Sequence, residues 1–167
     1  MSLLFLLKIK KDGIICNKYL VFFNIVPKHK YRILHFFEIM LNTSTNSGHK
    51  LQPGELAGKV FTSLISSSII SASKLDMPYL NKSLRTSTYS EVPGYREYKV
   101  ALVIAPNYDY HWYRQDADGG WSHKRGLTAI DFRDASGNSI RNPQTADRNY
   151  GNGLNYSTWG GWYIIKY

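Results

Sequence analysis

The chain has one cysteine, Cys16, in 167 residues. A single thiol excludes an intramolecular disulfide, so the fold must hold by its core alone. It also leaves one candidate thiolate nucleophile. His29, His35 and His49 do not combine with Cys16 at zinc-ligand spacing, so no metal site is expected from them. Long apolar runs are missing too. Leu3 to Leu7 is far shorter than a membrane span and its lysines follow rather than precede it, the reverse of a secretory signal. Tyr19 to Val26 is broken by Asn24 and ended by Pro27. The expectation is therefore no transmembrane segment, with a lysine-flanked surface helix as the remaining membrane option. There is no phosphate-cradling glycine loop, no dinucleotide fingerprint and no Gly-x-Ser-x-Gly elbow, so no cofactor and no serine nucleophile are expected.

What the chain does have is aromatic side chains and positive charge. Aromatics reach 14%, chiefly 13 Tyr and 4 Trp, and the formal net charge is +9. Residues 1–50 hold eight Lys/Arg against Asp12 and Glu38, which is +6; residues 51–167 hold thirteen against ten, which is +3. The basic excess belongs mainly to the N-terminal third. It could attract a polyanion, but no nucleic-acid motif accompanies it, and nucleic acid is not the expected partner. The polar stretch Asn42-Thr43-Ser44-Thr45-Asn46-Ser47-Gly48 marks a change of character. We read residues 1–41 as a basic, weakly specified N-terminal extension and residues 42–167 as a single α+β domain.

Within that domain Gln52-Pro53-Gly54-Glu55 reads as a turn, with proline at the first central position and glycine at the second. Phe61, Leu64, Ile65, Ser68, Ile69, Ala72 and Leu75 share one helical face, predicting a helix from Phe61 to Leu75. Asn81 to Pro93 reads as an irregular connection. Val100-Ala101-Leu102-Val103-Ile104-Ala105 is an unbroken apolar run, as in a strand covered on both sides. Further strands are expected at 108–115, from Trp121, at 127–132 and at 159–166, with turns at Pro106-Asn107, Asp118-Gly119 and 150–153. A helix packed on an antiparallel sheet is the fold class these elements imply.

The 108–124 hairpin carries the chemistry. Alternation puts Asp109, His111, Tyr113 and Gln115 on one face and Tyr110, Trp112 and Arg114 on the other. Trp121 and His123 share a face of the return strand, and a one-residue slip decides whether it is the His111 face. Imidazole titrates near neutrality, so His111 and His123 are the candidate base and orienting group, with Asp109 as an alternative orienter. The bland reading is two histidines hydrogen-bonded inside an aromatic sheet. Asp131, Asp134 and Asn138 offer oxygens for Ca²⁺ but lack the twelve-residue loop pattern, and a turn explains them better. Tyr and Trp residues between Tyr150 and Tyr163 could stack on a peptide or glycan in an aromatic cleft.

Several of these segments together resemble one family: Gln52-Pro53-Gly54, Val100 to Ile104, Asp109-Tyr110-His111-Trp112-Tyr113-Arg114-Gln115-Asp116, Gly120-Trp121-Ser122-His123-Lys124 and Ala146-Asp147-Arg148. It is a group of small, mostly bacterial proteins with a His-Trp-Tyr-Arg … Trp-Ser-His-Lys-Pro-Gly signature, more remotely similar to papain-like cysteine hydrolases and transglutaminase-like proteins. The resemblance covers roughly residues 41–167. It implies a cysteine nucleophile on a helix before the sheet, His111 as general base and His123 near the orienting position. In the family an Asn-Cys-Tyr segment precedes the Gln-Pro-Gly turn. Here the matching place reads Phe36-Phe37-Glu38-Ile39-Met40-Leu41, Cys16 lies about twenty residues too early, and Arg125 replaces the usual proline. A divergent or out-of-frame segment 1–40 would account for this.

Two expectations follow. The first is a papain-like relative that lacks the family nucleophile and is non-catalytic as written. The alternative is a cysteine hydrolase or acyltransferase in which His111 activates Cys16. Substrate, partner, compartment and oligomeric state are open at this point.

Overall fold

The computed structural model describes residues 51–126 and 128–167. Cys16, the two N-terminal apolar runs and the expected boundary at residues 41/42 lie outside the described residues. The elements in order are helix α1 (Ser66–Asp76), a short 3-10 helix (Met77–Leu80), and strands β1 (Ser83–Ser87), β2 (Glu97–Ala105), β3 (Asp109–Gln115), β4 (Trp121–Lys124), β5 (Ile130–Asp131) and β6 (Thr158–Lys166). The strands form one six-stranded sheet in the order β1-β6-β2-β3-β4-β5, and every pairing is antiparallel. The fold is mixed α+β and mostly β. No helix among the described residues is long and apolar enough to cross a membrane.

β2 sits at the centre and is buried from Tyr98 to Ala105. Its two faces enter two separate cores. Val100, Leu102 and Ile104 pack with Ile69 and Ile70 of α1, Tyr110, Trp112, Tyr163 and Ile165. Ala101, Val103 and Ala105 pack on the other side with Tyr113, Trp121, Ile140, Tyr156 and Trp162. Each large apolar side chain so enclosed contributes roughly 1.5–3 kcal/mol. On the second face size alternates across the strands: Ala101 lies between its partners Tyr113 and Trp162, so the small residue leaves room for two large rings.

The Gln52–Glu55 turn forms as expected. Glu55 N–H donates to the Gln52 carbonyl at 3.1 Å, and Gly54 takes φ +87°. A Cβ at Gly54 would stand 1.9 Å from the Lys59 carbonyl oxygen, so glycine is required twice over. The helix departs from expectation. It begins at Ser66, not Phe61, because the preceding segment is tied elsewhere: Phe61 N–H donates to the Pro53 carbonyl at 3.2 Å and its ring meets Tyr110 edge-on at 5.3 Å. Its buried face is also rotated. Ile69, Ile70, Ala72, Ser73 and Asp76 turn inward, while Ile65 and Leu75 are exposed. Two of the inward residues are polar and satisfied. Ser73 donates to the Ile69 carbonyl, and Asp76 accepts from Gly54 N–H at 2.6 Å and Ala57 N–H at 3.0 Å. Burial pushes the Asp76 carboxyl up, against the pull of those backbone donors.

β1 occupies part of the segment read as an irregular connection. Only Leu84 of its five residues is buried, so the strand has no apolar pattern and is held by its pairing with β6. The expected strand at 127–132 shrinks to the two residues of β5.

β6 carries a bulge where its register with β2 shifts between Leu102 and Val103. A Cβ at Gly160 would lie 2.6 Å from Leu102 Cγ in the middle of the core. Gly160→Ala is therefore expected to destabilise the protein by about 2–3 kcal/mol, read from the urea midpoint at unchanged slope.

Candidate functional site: a histidine pair in an aromatic shell

β3 and β4 settle the register question that the sequence leaves open. Tyr113 pairs with His123, so His123 lies on the face that carries His111 and Tyr113. His111 is the diagonal neighbour of His123 on that face, within side-chain reach. The imidazoles meet at 2.7 Å from His111 Nε2 to His123 Nδ1, with ring centroids 4.9 Å apart and planes at 86°. Both residues are 0% exposed.

The next contact fixes the direction of the hydrogen bonds. His123 Nε2 lies 3.0 Å from the Arg133 carbonyl oxygen, which can only accept. His123 therefore carries its proton on Nε2, Nδ1 becomes an acceptor, and His111 donates to it from Nε2. In this tautomer the basic lone pair of His111 is on Nδ1. A backbone carbonyl thus orients one imidazole, which orients the other, and a proton arriving at His111 Nδ1 would be stabilised through the His123 hydrogen bond. This is the arrangement a general base needs. Burial lowers the His123 pKa below its ordinary 6.5, keeping that ring neutral and accepting.

Aromatic rings close the surroundings. Tyr113 stacks on His123 at 5.0 Å and meets His111 edge-on at 5.1 Å. Tyr156 lies tilted on His111 at 5.1 Å, and its hydroxyl donates to Asp109 Oδ2 at 2.9 Å. Asp109 thus holds the phenol against the ring; His123 is the group that orients His111. Burial pushes the Tyr113, Tyr150 and Tyr156 hydroxyls up, so all three stay neutral, and Tyr156 is the one that donates to Asp109. Arg125, at the position where the resembled family has proline, sets its guanidinium over the Tyr150 ring at 4.7 Å.

Among the other sequence candidates, Asp134 spends its oxygens on a turn, accepting from the backbone N–H groups of Ser136, Asn138 and Asp147. Among the described residues no three of His, Cys, Asp and Glu are arranged to hold a metal ion. The rings expected to line an aromatic cleft are mostly core: Tyr156, Trp162 and Tyr163 are buried, and Trp159 and Tyr150 are half-buried. Sequence reasoning missed the Arg133 carbonyl entirely, since no side-chain type advertises a backbone acceptor. It missed the Tyr156–Asp109 contact because the partners are 47 residues apart.

The lowered His123 pKa makes stability depend on pH. The unfolded chain takes up a proton at this ring near 6.5 while the folded chain does not, so stability is full above that value. It falls as pH decreases from 6.5 through the depressed folded pKa. Thermal midpoints from pH 8 to pH 5 should decline over that window, and His123→Gln should remove that part of the decline.

No family model matches the chain, and no solved structure matches it. It is similar to insoluble matrix shell protein 1 of Ruditapes philippinarum, 48% identical over 63 residues. That stretch is 38% of this chain and 39% of the shell protein, so the likeness spans about two-fifths of the relative's length.

Proposed function

We propose that this domain is a papain-like relative that keeps the imidazole half of a cysteine-histidine site and works without covalent catalysis. The observation that carries the reading is the complete enclosure of both imidazoles, His111 and His123 being 0% exposed, in a chain with no cysteine at the position where the resembled family places its nucleophile. The buried His111–His123 hydrogen bond ties β3 to β4, and the part-buried bond from His123 to the Arg133 carbonyl ties that hairpin to the segment around Arg133. Such a network rigidifies a sheet whether or not any proton is transferred. A relative named for an insoluble matrix is compatible with a domain retained for its packing and its surface.

The competing reading is a cysteine hydrolase or acyltransferase, and one observation favours it. The chain Arg133 carbonyl–His123–His111 presents Nδ1 of His111 as an oriented base, as thiol activation requires. In that reaction the base takes the thiol proton, the thiolate attacks an acyl carbon, the bond to the leaving amine or alcohol breaks as that group takes the proton from the imidazolium, and water or an amine then displaces the acyl group and returns the thiol.

The two readings separate on the thiol. On the proposed one, Cys16 reacts with iodoacetamide with the pH profile of an ordinary thiol, and His111→Ala changes its rate by less than about two-fold. Rapid labelling at pH 6 that His111→Ala abolishes would establish the covalent reading instead.

A further inference from the structure

The two tyrosines that cover the histidine pair are carried by a small clip between residues 148 and 156. Tyr156 N–H donates to the Arg148 carbonyl at 3.1 Å and Tyr150 N–H to the Leu154 carbonyl at 2.9 Å, with Asn149 bridged to Asn155 between them. The clip sets Tyr156 against His111 at 5.1 Å and Tyr150 against His123 at 6.2 Å between ring centroids. Its tip is Gly151-Asn152-Gly153, closed by Leu154 N–H donating to the Gly151 carbonyl at 2.9 Å. These three residues take positive φ in succession, +75°, +50° and +82°. Glycine adopts that backbone freely, and asparagine tolerates it better than most residues. All three are exposed, and a Cβ built on either glycine would meet nothing within 4 Å.

The backbone nitrogen that follows an asparagine can attack the side-chain Cγ when it is free to approach. The fold removes that freedom at most of the described asparagines. The N–H groups after Asn81, Asn107, Asn149 and Asn155 donate to the carbonyls of Met77, Ala105, Leu154 and Arg148. Asn142 is followed by Pro143, which has no N–H. The related Asp118-Gly119 pair is held as well: Gly119 N–H donates to the Asp116 carbonyl, and Asp118 accepts from Gly120 N–H. Among the described residues no acceptor holds the N–H of Ser139, after Asn138, or of Gly153, after Asn152. The Ser139 side chain crowds its own nitrogen, whereas Gly153 has none. The tip must open for the attack, and an exposed turn held by single hydrogen bonds opens at little cost.

We propose that Asn152 is a site of self-modification, converting through a succinimide to isoaspartate, and that the conversion loosens the clip over the histidine pair. Gly153 N loses its proton and bonds to Asn152 Cγ. The bond from Cγ to the side-chain nitrogen breaks, and that nitrogen leaves with the proton as ammonia. Water then opens the ring. Opening at the Asn152 main-chain carbonyl routes the chain through Cβ and Cγ, which is isoaspartate; opening at Cγ gives ordinary aspartate. Isoaspartate puts an extra carbon into the backbone of a tip closed by the Leu154–Gly151 bond. That bond and the neighbouring Tyr150–Leu154 bond are lost first, so Tyr150 leaves His123 while Asp109 still holds Tyr156. The inference stands on either reading of the histidine pair, because it concerns the cover and not the proton.

The test is to age the folded full-length chain at neutral pH and follow it by peptide mass spectrometry, by methyl transfer from an isoaspartyl methyltransferase, and by amide hydrogen exchange at Tyr150 and Leu154. The mass gain of an amide-to-acid exchange is expected at Asn152 ahead of Asn138, with methyl transfer to the same peptide. Exchange at Tyr150 and Leu154 should quicken in the isoaspartate fraction. Asn152→Gly suits the left-handed backbone, so it should abolish the methyl acceptor in that peptide and keep the original exchange rates. Asn152→Asp brings the charge without the extra carbon and should also keep exchange slow. Conversion at Asn138 first, or at Asn152 only after denaturation in urea, overturns the site. Unchanged exchange in the isoaspartate form overturns its effect on the clip.

Discussion

Burial of β2 on both faces is the constraint from which the rest of the architecture follows. A strand with apolar side chains pointing both ways must be covered twice, so the sheet needs a layer on each side. α1 supplies one layer through Ile69 and Ile70. No second α-helix is present among the described residues to supply the other. Aromatic side chains of β3, β4 and β6 and the loop residues Ile140 and Tyr156 do so instead. That is why the histidine pair is so thoroughly enclosed. His111 and His123 stand on the face that large rings must cover.

The sequence is legible where one residue type has one physical use. Proline and glycine at 53 and 54 specify their turn, the apolar run at 100–105 specifies a twice-covered strand, and Asp118-Gly119 specifies the hairpin, where Gly119 takes φ +82°. Alternation along β3 assigns its faces correctly. It fails where a polar group is buried for a local reason. Ser73 and Asp76 turn inward because each has a backbone partner, and that rotates the helix face away from the one hydrophobicity selects. It fails also at β1, where backbone pairing holds a strand with a single inward side chain.

The candidate site shows the same division. The two imidazoles are visible as residues, and their shared face is visible as a pattern with an undetermined register. Their order is not. Which nitrogen donates depends on the Arg133 carbonyl, whose position depends on β5 and on the Phe132 carbonyl accepting from Ile140 N–H at 2.9 Å. A pair of histidines becomes a directed chain of donors only through backbone geometry that is set ten residues away.

The bulge at Gly160 has a consequence for the parity of β6. Trp159 and Trp162 are three residues apart, an odd spacing that sends side chains to opposite sides of a regular strand. Here Trp159 pairs with Val103 and Trp162 with Ala101, two residues of the same β2 face, and the indoles lie 4.6 Å apart in the same cluster. One supernumerary glycine turns an odd count into an even one. The amino-acid order of β6 thus encodes two strand phases, and the residue without a side chain is the switch between them.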